Sequence, residues 1–202
     1  MKKRSILLTA LALVLVAGIS IGGTMAYFQA ESEDLVNTFT VGNVDISLNE
    51  PTWFAPGGSD IAADMTPSQK ANKDPFITNE SDSNACYARL RITGLSYDAT
   101  SDTLAAPMGF AINDLDLTNW DIVQEGANIY AYYKSILDAG DSTPELFSGI
   151  TMTSTALEGD VAGFSITIVG EAIQCEGALA PLSTETEAEA AIRAFESFVT
   201  PV

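Results

Sequence analysis

The chain has 202 residues, 47% of them apolar and only 18% charged, which excludes a disordered polypeptide. Acidic residues outnumber basic ones 27 to 9, for a formal charge of -18, and histidine is absent. The missing imidazole excludes a Ser-His-Asp triad, His-ligated zinc and a histidine pH switch. The acidic balance opposes binding to nucleic acid and to anionic membrane surfaces.

The first segment reads as a leader. Met1-Lys2-Lys3-Arg4 is basic, Ser5 to Ala30 carries no charge, and Ile6 to Ile21 is almost wholly apolar. Small residues at Thr24 and Ala26 suit cleavage between Ala26 and Tyr27, which makes residues 1–26 a signal peptide. The competing reading is a retained transmembrane helix, since about 18 apolar residues span a bilayer. Removal is favoured because no basic cluster follows the apolar run. The mature chain would be Tyr27 to Val202, with six basic residues against 27 acidic ones and a charge of -21. Self-association of so acidic a protein has to rest on backbone pairing and apolar contact.

Strand patterns dominate the rest. Asn37 to Leu48 alternates apolar and polar, but Phe39 and Val41 are out of phase with Val44, Ile46 and Leu48. Gly42-Asn43 sits at the switch, where a bulge or bend re-aims the side chains. Pro51 to Lys73, rich in Pro, Gly, Ser, Asp and Asn, predicts a long connection. Phe76 to Asn79 predicts a strand and Glu80 to Asn84 a turn. Next, Cys86, Ala88, Leu90 and Ile92 share one face of a strand, with Tyr87, Arg89 and Arg91 on the other.

Between Tyr97 and Asp160 the pattern is weaker. Ile129 to Tyr133 and Leu146 to Met152 have strand composition, with a turn at Asp138 to Asp141. Phe164, Ile166 and Ile168 alternate, whereas Ile173 and Cys175 are out of phase beyond Gly170, which predicts a second bulge. The last element differs. Thr184 and Glu187 form a capping box, and Ala188, Ala191, Ile192, Phe195, Phe198 and Val199 recur at helical spacing. Glu189 and Arg193 add an i,i+4 pair. The expected fold is mainly β, a jelly-roll-like antiparallel β-sandwich over residues 42–202 that includes a C-terminal helix at 184–199.

The run Gly22-Gly-Thr-Met-Ala-Tyr-Phe28, followed by Asn37-Thr-Phe-Thr-Val-Gly-Asn-Val-Asp-Ile46, resembles the TasA/camelysin family of exported Gram-positive proteins. Lys73-Asp-Pro-Phe-Ile-Thr-Asn79, Tyr87-Ala-Arg-Leu-Arg-Ile92, Leu137 to Phe147 and Glu171 to Gly177 look like its later blocks. The resemblance implies a secreted jelly-roll domain, cleaved by a SipW-type signal peptidase and located in the biofilm matrix or on the cell surface. Family members form or modulate extracellular fibres. In fibre formers the mature N-terminal segment of one subunit adds as a strand to the next, which self-associates or joins related matrix subunits. Carried onto this chain, residues 27–41 are the N-terminal segment, and the candidate donor strand includes Tyr27, Phe28, Leu35 and Val36. Membrane contact would end at cleavage. Glu31-Ser-Glu-Asp34 favours the contrary reading of a frayed terminus.

The residues offer little chemistry. Camelysin-like members are sometimes labelled metalloproteases, but an H-E-x-x-H site needs histidine, and no G-x-S-x-G is present. No enzyme, no cofactor and no metal is expected. Asp98 with Asp102, or Asn113, Asp114, Asp116 and Asp121, are oxygen clusters that would suit calcium, with solvated turns the favoured reading. Cys86 and Cys175 are the only cysteines. Export favours a disulfide, worth roughly 4–5 kcal/mol for a loop of about 90 residues, against two buried thiols. Trp53, Phe54, Trp120, Tyr130, Tyr132 and Tyr133 would suit a glycan platform, with core packing favoured. The leading functional expectation is therefore a matrix fibre subunit or accessory. The alternative is a monomeric adhesin or glycan-binding module.

Overall fold

The computed structural model describes residues 40–41, 43–153 and 163–199. The contacts divide the chain after Val36, and every described residue belongs to the second unit, Asn37–Val202. The expected leader, the Ala26–Tyr27 cleavage point and the segment Tyr27 to Val36 lie outside the described residues.

The described chain is mainly β, with antiparallel sheets and one long C-terminal helix. β1 (Thr40–Val41) and β2 (Ile46–Asn49) flank the predicted phase change. The change marks a move between sheets: β1 joins β12 (Thr167–Gln174), while β2 pairs antiparallel with β4 (Phe76–Asn79). Pro51 to Lys73 is more ordered than its composition predicts. It holds two short helical turns, α1 (Pro51–Phe54) and α2 (Ser59–Ala62), and then β3 (Lys70–Asn72). Pro51 opens α1 because its fixed φ suits a first helical turn.

β5 (Cys86–Thr93) is the centre of the molecule. Cys86, Ala88, Leu90 and Ile92 enter one core with Ile77, Ile129, Leu146 and Phe147. Tyr87 points to the other face, where Tyr132, Ile173 and Phe195 form a second core. This is the face division read from the alternation. Each fully buried Leu or Ile contributes roughly 1.5–3 kcal/mol. At the end of β5, Gly94 has φ +89, and a Cβ there would lie 2.0 Å from the Ser165 carbonyl oxygen, so only glycine fits.

Three short strands follow: β6 (Ser96–Asp98), β7 (Thr103–Ala105) and β8 (Phe110–Asn113). β9 (Trp120–Glu125) and β10 (Asn128–Tyr133) form a hairpin across Gly126-Ala127, with Gly126 at φ +61. β11 (Gly149–Met152) starts later than predicted, because Leu146 and Phe147 are core residues of the preceding loop. The sheets are β1-β12-β5-β10-β9, then β3-β11-β8, and the pairs β2-β4 and β6-β7.

The predicted bulge at Gly170 is absent. β12 pairs with β5 without a break from Thr167↔Thr93 to Gln174↔Cys86. The apolar residues change phase because the strand is buried on both faces. Ile168 and Ala172 belong to one core, and Ile173 and Cys175 to the other.

The second face is covered by α3 (Glu187–Val199). Its buried side is Ala188, Ala190, Ala191, Ala194 and Phe195, so the small residues let the helix lie close to the sheet. The helix starts three residues later than expected, and its capping box shifts with it. The Glu189 N–H donates to Thr186 Oγ1 at 3.2 Å, and the Thr186 N–H donates back to Glu189 Oε2 at 2.8 Å. Glu189 is thereby engaged, and the expected Glu189–Arg193 pair does not form. Arg193 reaches Glu185 instead, at 2.9 and 3.0 Å, and donates to the Ala180 carbonyl. The side chains at 198 and 199 lie outside the described residues.

Candidate assembly edges

A sheet edge presents its backbone donors and acceptors on alternate residues, so the pairing inside a sheet dictates which groups point outward. On β12 the Cys175 N–H donates to the Ala85 carbonyl at 3.2 Å. Alternation from that pair turns residues 167, 169, 171 and 173 toward β5. Ile168, Gly170, Ala172 and Gln174 therefore face outward. Among the described residues β1 covers part of this row, in parallel register with Thr40 opposite Ala172 and Val41 opposite Ile173.

The other edge is β9. The Lys134 N–H donates to the Asn119 carbonyl at 2.9 Å, which turns 119, 121, 123 and 125 toward β10. Trp120, Ile122 and Gln124 then direct their main-chain groups outward, and no neighbouring strand pairs with them among the described residues. β9 is six residues long and unbroken, with neither proline nor a bulge to blunt it. Its inward side chains, Trp120 and Ile122, are core residues. The Trp120 indole N–H is buried and has no hydrogen-bond partner among the described residues. Near the far end, Gln124 accepts the Tyr97 N–H at 2.8 Å through its side-chain oxygen, leaving its own N–H uncommitted. The alternation of Trp120 and Ile122 and the Gly126 turn were signals for this strand. They were diluted by Asp121, Gln124 and Glu125.

β12 is held in register by charge. Glu171 accepts from Arg89 Nε and Nη2 at 2.6 Å each and from Arg91 Nε at 2.8 Å. Arg89 Nη1 donates to the Tyr132 hydroxyl at 3.0 Å. The Arg89 guanidinium also lies 4.2 Å from the Tyr130 ring centroid and 4.0 Å from that of Phe195. Arg89 and Glu171 are directly opposite in the ladder, so a one-residue slip would strand two buried charges.

The expected disulfide is not formed: Cys86 and Cys175 are both free and buried. Cys86 is opposite Gln174, so Cys175, one residue on, projects to the other face of the sheet. The two thiols belong to different cores, and bridging them would require backbone movement. Burial, with the neighbouring Cys175 adding to it, pushes the Cys86 thiol up to about 12.

The acidic candidates serve turns and ion pairs. Asp98 accepts from the Thr100 N–H and the Ser101 hydroxyl, and those bonds hold its carboxyl below the usual range. Asp102 accepts from the Tyr97 hydroxyl, a bond that pushes that phenol up to about 12. Asp116 accepts from the Thr118 and Asn119 N–H groups, and Asp121 pairs with Lys134 at 3.1 Å. Asp114 accepts from the Ser148 hydroxyl, which in turn accepts from Lys70 at 2.7 Å. Asn113 accepts from Thr151 at 2.8 Å. Among the described residues no group of three or more His, Cys, Asp or Glu is placed to hold a metal ion.

The six aromatics do not share a surface. Trp120 and Tyr133 pack on the first core, and Tyr130 and Tyr132 on the second. Phe54 is 80% exposed at the tip of α1, and Trp53 lies under the Lys73 ammonium at 4.6 Å. Among the described residues no helix is long and apolar enough to cross a membrane. No protein-family model, curated protein or solved structure matches the chain.

Proposed function

We propose that this protein is a secreted, non-catalytic structural protein, a subunit or accessory of extracellular matrix fibres that assembles by strand addition. The observation that carries the reading is the β9 edge of the five-stranded sheet, where the main-chain groups of Trp120, Ile122 and Gln124 face outward and no strand pairs with them among the described residues. Strand addition satisfies such groups and needs no charge complementarity. That suits a chain whose 27 acidic residues would otherwise keep copies apart. Ile46, Leu48 and Ile77 of the β2-β4 pair pack over Gly170 of β12, a layering that supports a jelly-roll-like sandwich. The sequence resemblance to the TasA/camelysin family supplies the remaining parts of the reading: a SipW-type leader ending at Ala26, a donor within Tyr27 to Val36, and an extracellular location in a Gram-positive bacterium. Scattered aromatics give the glycan platform no support. Electron microscopy of the chain beginning at Tyr27, beside the same chain lacking Tyr27 to Val36, tests the reading. Filaments from the first alone are expected; equal filaments from both, or none from either, overturn it.

A further inference from the structure

We propose that α3 is a releasable cover, opening as a unit while the sheet beneath it stays folded, and that its release bares the Cys175 thiol and the aromatic face around Arg89. Neighbouring elements are held in different ways. β5 is paired on both sides, with β12 from Cys86 to Thr93 and with β10 from Arg89 to Ile92. Among the described residues no main-chain hydrogen bond joins α3 to a strand. Its buried face is four alanines and Phe195, with Ile192 half-buried beside them. Each alanine buries a single methyl group, and apolar stabilisation scales with area. This face therefore holds α3 more weakly than the leucine and isoleucine core holds β5. Arg193 bonds to Glu185 and to the Ala180 carbonyl, which belong to the lead-in of the helix and travel with it. Glu187 and Tyr87 tie this unit to the sheet side. The Ile136 N–H donates to Glu187 Oε2 at 2.8 Å, and the Tyr87 hydroxyl donates to the Leu179 carbonyl at 2.9 Å.

The sheet satisfies its buried charges without the helix. When Phe195 withdraws from its place 4.0 Å from the Arg89 guanidinium, Arg89 keeps Glu171, the Tyr132 hydroxyl and the Tyr130 ring. Glu171 keeps Arg91 as well. Release of α3 thus strands no buried ion of this cluster, the cost that would forbid opening the sheet itself. Elements held in this way open sub-globally, ahead of the strands that carry the ladder. The two thiols separate the two events. Cys175 belongs to the core between α3 and the sheet, with Tyr87, Tyr132 and Ile173. Cys86 belongs to the core on the opposite face, to which α3 contributes no residue. Cys175 therefore reads the release of α3, and Cys86 reads the opening of the sheet.

The test follows hydrogen exchange and labelling of the two thiols on the chain beginning at Tyr27, in a urea series below the main unfolding transition, with Phe195→Ala beside it. The α3 amides and Cys175 should open together, about tenfold or more ahead of the β5 amides and Cys86. Their urea dependence should be the shallower one, because releasing the helix exposes less surface than unfolding the domain. Phe195→Ala removes the one large docking side chain, so Cys175 should label about tenfold or more faster while the β-sheet circular dichroism is unchanged. If Cys175 and Cys86 label together with a single urea dependence, α3 opens only as the domain unfolds and the proposal fails. Labelling of Cys175 while the α3 amides stay protected would overturn it, since the thiol would then be reached by another route. Loss of the sheet signal in Phe195→Ala would overturn it too, because the sheet would then depend on the helix.

Discussion

Glu171→Gln tests what holds β12, and with it one edge of the sheet, in place. Its carboxylate accepts three short bonds, two from Arg89 and one from Arg91. The Arg89 and Glu171 side chains are only 8% and 11% exposed, so water cannot take over when the charge is removed. Gln keeps the shape but leaves Arg89 a buried guanidinium without its counter-charge. Breaking one side of such a pair costs roughly 3–5 kcal/mol. For a domain of this size each kcal/mol is about 2–4 °C, so the melting temperature should fall by about 6–20 °C. Urea unfolding followed by tryptophan fluorescence gives the free energy directly. Arg89→Met with Glu171→Leu removes both charges and should recover most of the loss, because an apolar pair avoids the desolvation cost. A loss below about 1 kcal/mol for Glu171→Gln, the range of exposed pairs, would refute the reasoning. So would a double variant no more stable than the single one.

Two further outcomes follow from the same structure. Cys86 and Cys175 should both resist a thiol reagent at pH 8 in the folded protein and both react in denaturant; an intact mass two hydrogens short would show a bridge and contradict the face assignment. Arg193, by hydrogen bonding to Glu185, holds that carboxyl below its ordinary 4.5. The stabilisation this gives the α3 attachment is present above 4.5 and is lost as pH falls through the lowered folded value. Exchange at the α3 amides should therefore accelerate as the pH falls below 4.5 and through the lowered folded value, ahead of β5, and Glu185→Gln should abolish that acid dependence. Equal acid profiles for wild type and Glu185→Gln would contradict it.

The sequence made some of this fold legible and hid the rest for physical reasons. Phe76 to Asn79, Cys86 to Ile92 and Ile129 to Tyr133 were readable because their side chains alternate between unlike environments. β12 misled because both its faces are buried, so Ile168 and Ile173 appear out of phase without any bulge. β6, β7 and β8 are three or four residues long, too short for a period to register. At the C-terminus Thr184 and Thr186 both precede an acidic residue by three. Glu187 accepts the Ile136 N–H at 2.8 Å instead of reaching back to Thr184, and the box forms between Thr186 and Glu189. The cysteine pair shows the limit of counting: two thiols in adjacent strands are neighbours in sequence register yet project to opposite sides. Edge exposure at β9 depends on the order of strands, which no local pattern carries.

The most direct test of the central claim is electron microscopy of the chain beginning at Tyr27, with and without Tyr27 to Val36. Strand-addition assembly predicts filaments from the longer chain and dispersed monomers from the shorter. Filaments of equal number and length from both would contradict it, as would their absence from both.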